Sequence, residues 1–283
     1  MMERSHRVAN GMMNYAEGGG DGTPVVLLHG LTLEWSGWGE VIERLPDTAH
    51  LFAPDLRGHG RSDWSRSGYG VPDYVDDIAE FVHEVSGAGG VVIGHSLGAL
   101  VALGVAARVP DLVDAVVAID PPLILRDSSF ESIAYSDAHG WIHWVDDVVG
   151  GRVEASEASA RFLAMNPGTG VADAEQALAA VASLDPRATG QALSGRSYEG
   201  FDIGDTLTAV SCPALLLAGE VELGSLVRDE DLDLFRSRAA QGRAIRLRDC
   251  GHGMIWGDSA APVTAEIGRW LRTLPESSSS EWK

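Results

Sequence analysis

Apolar residues in this chain fall into two alternating patterns. Short unbroken runs recur at "PVVLLHG" (24–30), "HLFAPD" (50–55), "GVVIG" (90–94), "DAVVAID" (114–120), "CPALLLAGE" (212–220) and "AIRLRD" (244–249). They have strand length, and runs such as "PVVLLHG" lack the alternation of a sheet with one wet face, so they suit strands covered on both sides. Between them the period changes. Tyr74, Val75, Ile78, Phe81, Val82 and Val85 recur at helical intervals with acids on the opposite face. Helices are also expected at "WSGWGEVIERL" (35–45), "LGALVALGVAARV" (97–109), "DEDLDLFRSRAA" (229–240) and "APVTAEIGRWLRTL" (261–274). Near the start, Asn10-Gly11 separates two strand-like runs, a hairpin signal.

Strands alternating with helices predict an α/β protein with a doubly wound, mostly parallel sheet. The series is broken once. Between Asp120 and Ala214 lie about ninety residues with no strand pattern, holding the helical runs "WIHWVDDVV", "SEASARFLAM" and "DAEQALAAVASL". A structureless loop of that length is improbable inside a domain, so a helical insertion over one end of the sheet is expected. The division that follows is a core of 1–122 and 208–274 and an insertion of 123–207. The tail "PESSSSEWK" (275–283) is expected to be disordered.

Composition narrows the function classes. A formal net charge of −20 over 283 residues argues against nucleic acid and anionic membranes, which need clustered Lys and Arg. No apolar stretch approaches the ~20 residues of a membrane span, and the N-terminus lacks the ~7–15-residue apolar segment of a secretory signal. A cytoplasmic protein, monomeric or homodimeric, is the expectation. Cys212 and Cys250 suggest neither a disulfide framework nor a metal site. No metal or cofactor is expected.

Chemistry enters at "GVVIGHSLGAL", where Ser96 stands in a G-x-S-x-G pattern between a strand and a helix. A hydroxyl at its free pKa is a weak nucleophile and needs a base and a site for the charge it creates. Gly94 and Gly98 allow the tight turn, since a Cβ at either would press on the neighbouring strand or helix. The base should follow the last strand, where "RDCGHGMIW" offers His252 between two glycines. Backbone N–H groups of Leu97 and of Leu31, in "HGLTLEW", are the expected oxyanion donors, with the Thr32 hydroxyl nearby. His95, by contrast, falls where packing suffices to explain it.

Taken together, "PVVLLHGLT", "FAPDLRGHGRSD", "VVIGHSLGAL" and "CGHGMIW" resemble the α/β-hydrolase-fold enzymes in order and approximate spacing, from about Met12 to Leu274. The resemblance implies an eight-stranded sheet, mostly parallel with its second strand antiparallel, helices on both faces and often a helical cap between strands six and seven. It implies that Asp55, Arg57, Gly58, His59, Gly60 and Ser62 shape the cleft floor without a catalytic part. It leaves two positions for the acid that orients His252. Asp120 leaves the sixth strand ahead of Pro121 and Pro122, and Glu222 lies a few residues past the seventh.

Trp35, Trp141, Trp144 and Trp256 are candidates for an aromatic substrate pocket, or else anchors of helices on the sheet. The leading functional expectation is a serine hydrolase that cleaves a small hydrophobic ester or lactone through an acyl-enzyme. The same machinery permits a carbon–carbon bond hydrolase, an amidase or a perhydrolase. A non-catalytic ligand receptor on the same scaffold is the alternative from another class.

Overall fold

The computed structural model describes residues 1–66, 68–87, 90–124, 138–165 and 170–274. Eight strands form one sheet: β1 (Met2–Val8), β2 (Gly11–Gly19), β3 (Pro24–Leu28), β4 (His50–Pro54), β5 (Gly90–His95), β6 (Val113–Ile119), β7 (Ala214–Ala218) and β8 (Gly242–Arg246). Their order across the sheet is β1-β2-β4-β3-β5-β6-β7-β8. The β1–β2 hairpin turns through Ala9 and Asn10, one residue ahead of the expected Asn10-Gly11, because Gly11 already pairs with Val8 as the first residue of β2, and β2 is antiparallel to both neighbours. All other pairs are parallel.

The central strands are apolar on both sides because both faces of the sheet are covered. Every residue of β5 is buried, and so is every residue of β7. One core lies under α2 (Val71–Phe81) and α3 (Leu97–Arg108), where Val92, Val116 and Leu216 meet Ile78, Leu100 and Leu103. The opposite core sets Val25, Ile93 and Leu215 against Trp38, Val263, Ile267 and Trp270. Burying each large aliphatic side chain contributes roughly 1.5–3 kcal/mol.

The helix expected at 35–45 is shorter and split. A 3-10 turn over Trp35–Trp38 leads into a single α-turn, α1 (Gly39–Ile42). Gly37 and Gly39 weaken helical propensity there, while the backbone N–H of Trp35 is drawn off to the Asp55 carboxylate at 2.8 Å.

Between β6 and β7 the described chain is helical, with helices at Ala138–Val149, Ala155–Met165, Val171–Ser183, Pro186–Leu193 and Ile203–Ala209. The first three build a small apolar cluster of their own around Trp144, Val145, Ala158 and Val181. The Pro186–Leu193 helix is fastened to the core. Its N-cap, Asp185, accepts hydrogen bonds from the Arg187 backbone and from the Tyr69 hydroxyl, and Asp185 N–H donates to Gly58 O at 2.8 Å. Residues 275–283, expected to be disordered, lie outside the described residues.

Candidate active site

Ser96 occupies the one-residue break between β5 and α3. Its backbone sits at φ 55° and ψ −118°, a region that costs a non-glycine residue about 1–3 kcal/mol and persists only when its surroundings enforce it. They do so through close packing. A Cβ on Gly94 would lie 2.0 Å from Gly98 O, and one on Gly98 would lie 2.1 Å from Leu28 O. The Ser96 N–H donates to Ile119 O at 2.9 Å, locking the turn to the end of the neighbouring strand. The residue is thereby held at the C-terminal edge of the sheet, at the N-terminus of α3.

One strand over, Asp120 also takes a positive φ, 47°, immediately beyond β6. Its carboxylate is fully buried and accepts from four directions. His252 Nδ1–H donates to Oδ2 at 2.7 Å and the Leu226 N–H to Oδ2 at 2.8 Å. The Ser225 hydroxyl and the Gly219 N–H donate to Oδ1 at 2.5 and 3.3 Å. Burial works against the charge, yet the hydrogen bond and charge of His252, with Ser225 and Leu226, outweigh it and hold the carboxyl below its ordinary range. With Nδ1 engaged, Nε2 is the nitrogen of His252 left for proton transfer. Glu222 is exposed in a 3-10 turn after β7 and is not brought to His252.

The loop carrying His252 is clamped. Cys250 O accepts the Glu220 N–H at 2.7 Å, and the Asp249 N–H reaches the Glu220 carboxylate at 3.1 Å. Gly251 passes so close to Leu223 that a Cβ would meet its carbonyl oxygen at 2.0 Å. From the other side His95 Nε2–H donates to His252 O at 2.8 Å.

The loop after β3 runs beside Ser96, since a Cβ on Gly30 would stand 3.3 Å from Ser96 Cβ. Two buried imidazoles hold this loop. His29 donates from Nδ1 to Gly30 O at 2.8 Å and accepts the Leu56 N–H at Nε2, while His59 Nε2 lies 2.6 Å from Leu31 O. Burial lowers the pKa of both rings. Leu31 and Leu97 therefore flank Ser96.

A cleft of about 40 Å³, room for a few waters, opens at Ser96. Leu31, Leu97, Leu100, Pro122 and Ala192 give it an apolar lining, with Tyr69, Ser197 and Tyr198 adding hydroxyl-bearing residues. Two hydroxyls are committed: Tyr69 donates to Asp185, and Tyr198 to Pro122 O at 2.7 Å. Burial first, then the Asp185 contact, pushes the Tyr69 phenol up to about 12, so it stays a donor.

Among the described residues lining the cleft, Trp35, Trp144 and Trp256 do not appear. Trp144 is buried among the inserted helices, its indole N–H donating to Ala158 O at 2.7 Å. The Trp35 indole donates to Glu3, and that of Trp256 to Gly37 O at 2.9 Å. Each ring follows a partner for its N–H, which apolar periodicity does not reveal. Thr32 is partly buried and also stands off the cleft's border. Trp141 belongs to the Ala138–Val149 helix, but its side chain lies outside the described residues. Tyr69, Ser197, Tyr198 and Ser225 were not anticipated from sequence, because tertiary folding alone brings them to Ser96 and Asp120.

Among the described residues no three His, Cys, Asp or Glu side chains gather as a metal site, and no helix is long and apolar enough to cross a membrane. A family model described as α/β hydrolase fold matches residues 23–259. The chain is 41% identical over 101 residues to 2-(acetamidomethylene)succinate hydrolase of Mesorhizobium japonicum, a match spanning 36% of each protein. With (E)-2-((N-methylformamido)methylene)succinate hydrolase of Acinetobacter baylyi it shares 23% identity over 280 residues, 97% of this chain and 100% of the other. Among solved structures, the N-formylmaleamic acid deformylase of Pseudomonas putida S16 superposes with a TM-score of 0.78 at 21% identity, covering 94% of this chain and 100% of that one.

Proposed function

Because the chain belongs to the α/β-hydrolase-fold family, we propose that it is a serine hydrolase cleaving a small, hydrophobic carboxylic ester or lactone through an acyl-enzyme. The observation that carries the reading is the His252–Asp120 pair at 2.7 Å, set one strand over from a serine on a strained, glycine-enforced turn. Ser96 attacks the substrate carbonyl while His252 Nε2 takes its proton. Asp120 keeps the imidazole in the required tautomer and stabilises the imidazolium. The N–H groups of Leu31 and Leu97 receive the oxyanion. His252 returns the proton to the leaving alkoxide, then activates the water that attacks the acyl carbonyl and frees Ser96. The helices of residues 123–207 serve as the cap, tied down through Asp185.

The apolar lining supports an uncharged acyl group, and a surface carrying −20 adds no attraction for a dianion. A second reading, amide hydrolysis, draws on the names of the relatives, whose substrates carry acetamido and formamido groups. Turnover of p-nitrophenyl esters of rising chain length, beside N-acyl enamides with and without carboxylates, separates the two. Ester turnover abolished by Ser96→Ala supports the proposal. Enamide turnover alone would replace it with the second reading.

A further inference from the structure

We infer that His95, the residue before the nucleophile, is a positioning residue for His252, holding both its main chain and its ring. This rests on the serine-hydrolase reading but concerns a residue that takes no part in its proton transfers. Its side chain is buried, and a carbonyl oxygen only accepts, so the 2.8 Å contact to His252 O fixes Nε2 of His95 as the donor. The ring then lies against the imidazole of His252, centroids 4.8 Å apart at 36°, and is backed by the edge of Trp256 at 5.5 Å. His252 is thus gripped at its carbonyl by His95, at Nδ1 by Asp120, and on one face by a ring that cannot swing.

The grip ties base to nucleophile. His95 and Ser96 are consecutive, and His95 pairs in register with Ile119, whose carbonyl receives the Ser96 N–H. A displacement of the His252 loop would therefore have to break a bond to the strand that carries the serine. The arrangement also suits a neighbour that becomes cationic in each cycle. Nδ1 of His95 has no hydrogen-bond partner among the described residues, and the titratable groups acting on the ring are His252, Asp120 and the buried His29. Burial first, then His252, lowers the pKa of His95 to about 3, so it presents a neutral face to the imidazolium.

His95→Phe keeps a ring and removes the donor; His95→Gln restores an N–H within reach of the same carbonyl. Steady-state kinetics on an ester should show kcat about 100-fold lower in His95→Phe, as for a base misplaced by about 1 Å, with KM nearly unchanged. His95→Gln should recover most of the loss. A second readout needs no substrate: the downfield proton NMR resonance of His252 Nδ1–H on Asp120 should be sharp in the wild type and in His95→Gln, and broadened or lost in His95→Phe. Equal kcat and equal spectra in all three proteins would overturn the proposal. So would losses that track thermal stability alike in both variants. If no acyl substrate is turned over by the wild type, the hydrolase reading fails, while the NMR comparison still decides the role of His95.

Discussion

The Nδ1 atom of His252 and the Oδ2 atom of Asp120 lie 2.7 Å apart although 132 residues separate them in the chain. Neither residue belongs to a helix or strand. Each sits just past a strand end, and the parallel sheet places consecutive strand ends at one edge. The ends of β5, β6 and β8 thus bring serine, carboxylate and imidazole to a common site.

Replacing that carboxylate should cost turnover far more than stability. Asp120→Asn keeps the volume but loses the charge and admits the wrong imidazole tautomer. A fall in kcat of about 10⁴ is expected, against no change for the exposed Glu222→Gln. Steady-state rates of the two variants, side by side, check it.

Glycine at the turn should be irreplaceable for steric reasons. In Gly98→Ala the new methyl would stand 2.1 Å from a backbone carbonyl, which no rotamer change relieves. Urea denaturation should show destabilisation of at least about 1–3 kcal/mol, the ordinary range for overpacking. Gly190→Ala, with nothing within 4 Å, should be tolerated.

Stability should fall on the acid side. His29, His59 and His95 are held neutral by burial, whereas in the unfolded chain they titrate near their ordinary 6.5. Below that pH the unfolded state binds more protons, so their contribution is intact above about 6.5 and declines as pH drops, for His95 toward about 3. Asp120, lowered in the fold, adds a loss with the same direction at still lower pH. The urea midpoint should decrease between pH 7.5 and 4.5, with a shallower slope in His95→Gln.

The tie between the core and the inserted helices can be cut singly. Tyr69→Phe removes a donor from Asp185, which is buried and keeps Arg187. A loss of about 1–3 kcal/mol is expected by denaturation, with the circular dichroism of the folded state unchanged.

Much of this was legible in the chain. The unbroken runs gave the central strands, Asn10-Gly11 the hairpin to within one residue, and the spacing of glycines around Ser96 the turn. Those signals are local, and they act through backbone sterics or burial. The sequence left both Asp120 and Glu222 open as the carboxylate beside His252, because the donors that surround Asp120, from Gly219, Ser225 and Leu226, are visible only when β6 and β7 are paired. His95 read as ordinary packing for the same reason, its partner being 157 residues away. For Trp35, Trp144 and Trp256 the choice between pocket and anchor stayed open, because aromatic spacing shows which residues share a helix face, while the destination of each indole N–H is a tertiary matter.

Intact-protein mass spectrometry after incubation with a fluorophosphonate tests the central claim most directly, because the probe reports an activated serine whatever the natural substrate is. One adduct per chain, mapped to Ser96 and lost in both Ser96→Ala and His252→Ala, is the predicted result. A folded wild-type protein that stays unlabelled, or carries its adduct on another residue, would contradict the account.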